Sequence, residues 1–172
     1  QCAIVNGYID HTLIHNSTWH LIQLGIHTEA AGQITRMLIS KIKDIRKANG
    51  VNLDKAIETY LCITLLKSAE AFDMSRIHYK KVPNERDTLE FLILNSDFPR
   101  SIIFNLEEAH QSLMKVQIGG EGKDSPEFFS GRLRSSFHYL TIEDIHSEVL
   151  PFLEKTLKDI YKLGMLIDAK FH

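Results

Sequence analysis

Two Glu-x-x-His spacings are the feature of this chain best suited to chemistry. Glu107 stands three residues before His110, so the two side chains would share one face of a helix. The same spacing joins Glu143 to His146. Carboxylate-bridged di-iron bundles use one such pair on each of two helices and a single glutamate on each of two others. Three glutamates on the first two predicted helices have suitable positions for the single ligands: Glu29, Glu58 and Glu70.

A structural interpretation of these residues stands beside the metal hypothesis. Glu143 is the second residue after Thr141, a good helix cap, and the helix dipole favours acids in a first turn. His110 shares its helical stripe with Leu113, and His146 likewise has an apolar residue four positions further on. Histidines of a packed core or interface show this pattern. We therefore predict no resident metal or cofactor, and we keep a metal-binding helical-bundle enzyme as the alternative.

The remaining histidines, cysteines and glycines give weaker signals. Two histidine pairs have helical spacings of seven and four residues: His20 with His27, and His11 with His15. The segment that holds the second pair is not clearly helical, and we predict structural roles for all four side chains. Cys62 lies in an apolar run, which indicates a buried thiol rather than a nucleophile. The glycine-rich run 119–122 lacks the ending of a phosphate loop, so we predict a turn there.

A narrow polar arc lies along the first long helix. Glu29, Gln33 and Arg36 are separated by four and seven residues, which are close to whole helical turns. Such an arc can be a solvated edge or a binding surface, and the spacing alone leaves both interpretations open.

Bulk composition excludes several classes of protein. The chain has 172 residues, 44% of them hydrophobic, and a formal net charge of -2, so it can bury a core and has no global attraction for nucleic acid. No apolar run approaches the roughly 20 residues of a membrane span. Without a signal peptide or a disulfide pattern, we expect a cytoplasmic protein that binds neither membrane nor nucleic acid.

Apolar residues recur at three and four positions along most of the chain, and no segment alternates with period two. We predict an all-α fold, an antiparallel bundle of about five to six helices in a single domain, residues 1–172, with 1–16 as a leading segment. Asn49-Gly50 would end the first helix and Asn52 would cap the second. The predicted helices cover residues 17–47, 52–72, a short stretch ending at 94, 99–116, 126–139 and, after a Thr141 cap, a last helix that Pro151 should kink or split.

A sharp corner is predicted at residues 91–102, FLILNSDFPRSI. The apolar run ends at Asn95, and Pro99 stands where a new helix would begin. Asp97 or Ser96 would cap the free N–H groups of that helix. Local chemistry thus explains a helix, a tight turn and a second helix.

Three segments together resemble the bacterial alpha-E family, which is named for its helical character and a Glu-Arg signature. Residues 24–38, LGIHTEAAGQITRML, are similar to the family's Leu-Gly, Glu-Arg-Ala and Arg-x-Leu helix. The corner FLILNSDFPRSI resembles the family's Asp, Phe-Pro-Arg-Ser segment, and residues 150–171 resemble its terminal helix. Two departures stand out. Ala30 occupies the place of the signature arginine, and the match from about residue 17 to 172 is to the C-terminal half of a typically longer protein.

The resemblance implies a setting rather than a reaction. Family members are all-helical and accompany circularly permuted ATP-grasp proteins, so the implied role is an accessory or binding module of a peptide- or amide-forming ligase system. The implied partners are the ATP-grasp protein and a peptide. The resemblance adds weight to the polar arc and to the corner, and we predict five binding residues: Glu29, Gln33, Arg36, Asp97 and Arg100. An apolar face left uncovered by a missing N-terminal half also predicts a homo-oligomer.

Overall fold

The computed structural model describes residues 2–49, 55–116, 122 and 125–171. All regular structure in these ranges is helical, which confirms the all-α prediction, although the described helices outnumber the predicted five to six. They are α1 (Cys2–Thr12), α2 (Ser17–Asn49), α3 (Lys55–Ser68), α4 (Phe72–Tyr79), α5 (Glu85–Leu94), α6 (Ile102–Val116), α7 (Pro126–His138), α8 (Ile142–Ile145) and α9 (Val149–Phe171).

The centre of the fold is a four-helix bundle of α2, α6, α7 and α9. Helix α2 packs against α6 and α9, and α7 packs against the same two helices from the other side. Along α2 and α9, Lys43 pairs with Glu154 while Arg36 bonds to Tyr161, so the two helices are antiparallel. The bundle therefore has the up-down-up-down arrangement that lets four amphipathic stripes share one core.

Helix α7 runs antiparallel to α6 in the same way. His110 on α6 bonds to Ser130, and Glu107, one turn earlier, pairs with Arg134, one turn later on α7. Ser125 begins α7 as its cap, with its hydroxyl accepting the N–H of Phe128. The predicted start of this helix at residue 126 is confirmed.

Helices α3, α4 and α5 lie between α2 and α6 in the chain and pack against one another beside the bundle. One predicted helix, 52–72, is in fact two, because Glu70 adopts a left-handed conformation with φ 52° and separates α3 from α4. The predicted Asn52 cap, Gly50 and most of the 119–122 turn lie outside the described residues. Helix α5 ends at Leu94 as predicted.

The leading segment was predicted not to be clearly helical, and that prediction is wrong. Helix α1 occupies Cys2–Thr12 and is followed by a turn that ends where Asn16 caps α2. The Oδ1 of Asn16 accepts the N–H groups of Thr18 and Trp19. Polar Asn6, Gly7 and Asp10 interrupt the apolar pattern of α1, which hid its periodicity in the sequence.

The corner at residues 91–102 exists, but its caps differ from those predicted. Helix α6 begins at Ile102 rather than Pro99, and Ser101 caps it by accepting the N–H of Phe104. The same hydroxyl donates to the carbonyl oxygen of Asn95 at 2.6 Å. The predicted Asp97 cap of α6 is wrong, since Ser101 is the cap, and the N–H of Asp97 donates to the Asn95 side chain. Serine closes the turn at both ends because one hydroxyl can donate and accept at once.

A buried asparagine attaches this corner to the bundle. Asn105, 2% exposed, donates its amide N–H groups to the carbonyl oxygens of Pro99 and Ser101. Its Oδ1 lies 2.9 Å from Nδ1 of His27 on α2. One side chain thus satisfies two turn carbonyls and fixes α6 to α2 through a hydrogen bond.

The last predicted helix is split, as its proline indicated. Thr141 and Asp144 form the capping box of the short α8, and α9 begins only at Val149. Pro151 is the third residue of α9, where a missing N–H costs no intrahelical bond. The Thr141 cap and the break before the final helix are both confirmed.

We predict that Asn105→Ala destabilises the fold by about 2 kcal/mol or more, because it leaves the carbonyl of Pro99 and the ring of His27 without their partner. It also removes one of the two N–H groups that donate to the carbonyl of Ser101. Chemical denaturation would measure the loss. The matched control is Gln111→Ala on the exposed face of the same helix, which should stay within about 0.5 kcal/mol of the parent. Equal losses in the two variants would contradict the anchoring role of Asn105.

Candidate functional site

Three of the predicted binding residues form one polar cluster on α2, together with a tyrosine from α9. The Glu29 carboxylate accepts hydrogen bonds from Gln33 at 3.1 Å and from Arg36 at 2.8 Å. Arg36 also donates to the hydroxyl oxygen of Tyr161 at 2.9 Å. We call these four side chains the polar cluster. Its members come from two packed helices, so their spacing is set by the bundle rather than by a loop.

The polar cluster is a charged surface with a fixed geometry. The amide of Gln33, and then the guanidinium of Arg36, lower the pKa of the Glu29 carboxyl below its ordinary value. The hydrogen bond to Tyr161, followed by that to Glu29, raises the pKa of Arg36. The side chains of Glu29 and Arg36 are 60% and 39% exposed, so solvent screens their attraction and the pair adds little to stability. The cluster is available to a partner.

Beside the cluster, α2 and α9 enclose an open apolar groove of about 240 Å³. Two glycines face open space, since a Cβ built on Gly25 or Gly164 would meet no atom within 4 Å. The buried Oγ1 of Thr28 has no hydrogen-bond partner among the described residues. We call this the α2–α9 groove, and it is lined by Leu21, Leu24, Gly25, Thr28, Glu29, Gly164 and Ile167.

Asp97 and Arg100, the other two predicted binding residues, form a separate surface at the corner. Arg100 pairs with Glu70 at 2.6 Å, and both side chains are more than half exposed. The backbone N–H of Asp97 donates to Asn95. The structure therefore brings Glu29, Gln33 and Arg36 together and assigns Asp97 and Arg100 to a different site on the surface.

The Glu-x-x-His pairs serve ion pairs and packing. Glu107 binds Arg134 at 2.7 Å, and His110 bonds to the hydroxyl of Ser130 at 2.8 Å. Glu143 pairs with Arg86 on α5. The part of the chain that the structure describes holds no group of three or more His, Cys, Asp or Glu side chains able to bind a metal. The di-metal arrangement therefore finds no geometry to support it in these ranges.

The single glutamates proposed for that site are also engaged elsewhere. Glu58 accepts the N–H of Glu85 at 3.4 Å, and Glu70 pairs with Arg100. A second cavity, about 340 Å³, is open between α5, α8 and the turn that follows α8. It is lined by Arg86, Ile142, Glu143, His146 and Ser147.

His15, His27 and Cys62 have structural surroundings. His15 stacks on Trp19 and lies 3.1 Å from the carbonyl oxygen of Asp10, whereas His27 is held by Asn105. Cys62 is buried, and burial raises the pKa of its thiol to about 11, so it is not a thiolate near neutral pH.

Tyr161 and Gly164 are the members of this surface that the sequence did not reveal. Both lie on α9, where Tyr161, Gly164 and Ile167 follow one another at intervals of three residues, and Ile167 is an inward apolar residue of the predicted last helix. This spacing is the sequence pattern that placed the two residues on one face of the last helix. The pattern does not show that this face packs beside α2, because that requires knowing that α9 runs antiparallel to α2.

No helix among the described residues is both long enough and apolar enough to cross a membrane. The model of one protein family, Alpha-E, described as a predicted alpha-helical domain with a conserved ER motif, matches residues 1–172. This match includes the leading segment 1–16, which the motif resemblance did not cover. Searches of curated proteins and of solved structures returned no significant match.

The family is described by a conserved ER motif, so the positions of adjacent glutamate and arginine residues in this chain are relevant. Adjacent Glu-Arg residues occur in this chain at Glu85-Arg86, while Glu29 is followed by Ala30. The guanidinium beside Glu29 comes instead from Arg36, two helical turns later. A Glu–Arg contact is thus present at the first long helix without the adjacent pair.

We predict that acid weakens the fold through His110. Burial, and secondly Arg134, lower its pKa in the folded protein, so the unfolded chain binds the proton more readily. This contribution is complete above the ordinary histidine pKa of about 6.5 and declines as pH falls below it. His110→Gln retains a polar group for Ser130 and should show a smaller fall in Tm on acidification than the parent. Parallel Tm–pH curves for the two proteins would contradict this role.

Proposed function

The chain belongs to the Alpha-E family, and from that premise we propose that it is the helical binding module of an ATP-grasp peptide- or amide-ligase system. The observation that carries the proposal is the polar cluster, which gathers Glu29, Gln33 and Arg36 with Tyr161 on two rigid helices. The circularly permuted ATP-grasp protein is the proposed partner. Its peptide product is the proposed second ligand.

The chemistry of the cluster suits recognition better than catalysis. A guanidinium presents five N–H donors in a plane, and the bonds to Tyr161 and Glu29 use two of them. Such a fork can bind a carboxylate of a partner or of a peptide with directional hydrogen bonds. Because Glu29 and Tyr161 already orient Arg36, little side-chain entropy is lost on binding. The group is pre-organised for an acidic ligand.

Arg100 offers a second contact in this proposal. Its pair with Glu70 is exposed, and such pairs contribute only about 0–1 kcal/mol. A carboxylate of the partner can replace Glu70 as the ion-pair partner of Arg100 at small cost. Asp97 lies on the same turn and is the second predicted binding residue there. We place this complex in the cytoplasm, because an ATP-grasp ligase needs ATP and Cys62 is a free thiol.

We predict that Arg36→Ala weakens binding to the co-expressed, tagged ATP-grasp protein of the same genome at least about tenfold, equivalent to ~1.4 kcal/mol. The expected cause is loss of the donor that faces the ligand, and calorimetry on the purified proteins would measure it. The matched control is Lys43→Ala, which removes the exposed ion pair Lys43–Glu154 between α2 and α9 and should leave affinity within about twofold.

Absence of any complex with the unaltered chain would refute the partner. Equal loss in the Lys43→Ala control would show that the bundle surface in general, rather than the polar cluster, determines affinity. Binding of a peptide product alone, in the absence of the ligase, would assign the cluster to the peptide.

A further inference from the structure

Two cations on neighbouring helices lie against one buried aromatic ring. Phe129 of α7 is 3% exposed, and the guanidinium of Arg132 and the ammonium of Lys162 lie 5.3 and 5.0 Å from the centre of its ring. Each cation is attracted by the π electrons of the ring. Because both distances are measured to the same ring, the two charges are no further apart than about 10 Å, roughly one Debye length at 0.1 M salt. Phe129 therefore holds two like charges close together where α7 meets α9.

Helix α9 extends this positive charge with two further lysines. Lys155, Lys158 and Lys162 are separated by three and four residues, so they lie within an arc of about 60° on one face of the helix. All three side chains are exposed, as is that of Arg132. We call these four residues the basic stripe: Arg132, Lys155, Lys158 and Lys162.

Helices α7 and α9 stay adjacent along the whole of this face. Phe137 near the end of α7 packs on Phe152 near the start of α9, with 5.3 Å between ring centres. Phe129 near the start of α7 lies beside Lys162, further along α9. The two helices are therefore antiparallel, and Phe152 stands one turn before Lys155. The lysine face of α9 thus follows the contact between the two helices.

The positive charge of the basic stripe is not balanced by neighbouring acids. No ion pair in the part of the chain that the structure describes includes any of its four side chains. Two acids of α9 lie within a turn of its lysines, and one of them, Glu154, pairs with Lys43 of α2. The other is Asp159, three residues before Lys162 and four after Lys155. Four cations thus share one nearby carboxylate, so the stripe is a local positive surface on a chain of net charge -2.

We infer that the basic stripe docks an acidic segment of a partner protein, with glutamate or aspartate side chains facing the four cations. Carboxylates complement this charge, and the planar fork of Arg132 can bind one through two hydrogen bonds. Phe128, one turn before Arg132 and 48% exposed, offers an apolar contact beside the charges. The stripe is a surface other than the polar cluster, because Tyr161 of that cluster contacts α2 whereas Lys162 contacts α7. The inference stands whether or not the proposed ligase partner is correct.

The length of the basic stripe favours a short acidic segment over a nucleic acid. From Lys155 to Lys162 the stripe spans about 10 Å along the axis of α9. The phosphates of a nucleic acid continue beyond this length, and they would meet the rest of the chain, which is acidic because the whole has a net charge of -2. A few carboxylates on one segment match the stripe without this repulsion.

NMR titration of the ¹⁵N-labelled chain with a hexaglutamate peptide at low salt tests this surface. Shift changes should concentrate at residues 128–135 and 155–162. The double change Arg132→Gln with Lys162→Gln should raise the peptide Kd at least about tenfold, since two ionic contacts are lost. Glutamine favours a helix about as well as lysine or arginine, so the spectrum away from the stripe should show that this variant remains folded.

A second pair of cations on an aromatic ring provides the matched control. The charges of Lys67 and Arg76 lie 5.5 and 5.9 Å from the ring centre of Phe72, so Lys67→Gln with Arg76→Gln removes the same charge and the same kind of ring contact. Glu70 and Asp73 each stand three residues from one of these cations, so acids offset the positive charge there. The control variant should bind the peptide within about twofold of the parent.

Three results would overturn the inference. The first is a parent that shows no shift changes in the stripe at the highest peptide concentration reached. The second is an equal loss of affinity in the two double variants, because net charge rather than the stripe would then determine binding. The third is a hexauridylate RNA that binds the stripe more tightly than hexaglutamate does, which would assign the surface to nucleic acid.

Discussion

The hydrogen bonds of the buried Asn105 amide are the constraint on which the arrangement of this molecule depends. The side chain of Asn105 donates to the carbonyl oxygens of Pro99 and Ser101 at the corner before α6, and the Ser101 carbonyl also accepts the backbone N–H of Asn105. The side-chain oxygen of Asn105 meets His27, so the closure of the corner and the docking of α6 on α2 are one event. Helix α9 packs against α2 in turn, and this packing brings Arg36 of α2 opposite Tyr161 of α9. A change at the corner would therefore reach the polar cluster through the packing of α2.

The parts of the fold that local rules determine were predictable. Ser17 at the start of α2, Leu94 at the end of α5, and the Thr141–Asp144 capping box follow from residue types within a few positions of one another. The break between α3 and α4 was not, because it depends on Glu70 in a left-handed conformation that side chains other than glycine rarely adopt.

The sequence predicted the part of the candidate site that lies on one helix, but not the part that depends on tertiary packing. Glu29, Gln33 and Arg36 share one helix, so helical spacing alone brings them together. Tyr161 is distant in sequence, and the separation of Asp97 and Arg100 from the cluster is a tertiary property. Ala30 shows the limit of a motif: the glutamate retains a guanidinium partner because Arg36 reaches back two turns, which an adjacent-residue signature cannot express.

The insertion of α3, α4 and α5 between two neighbours of the bundle has a consequence for biosynthesis. Helix α2 leaves the ribosome long before α6, since residues 50–101 must be made in between. At about 5–20 residues per second this takes about 3–10 s, and α9 emerges later still. During that interval α3 can make its contacts with α2, but α6 and α9, which cover most of the apolar stripe of α2, have not yet been made. We therefore expect the nascent chain to expose a surface that chaperones bind at this stage, and we expect its bundle core to form only once α6 has emerged.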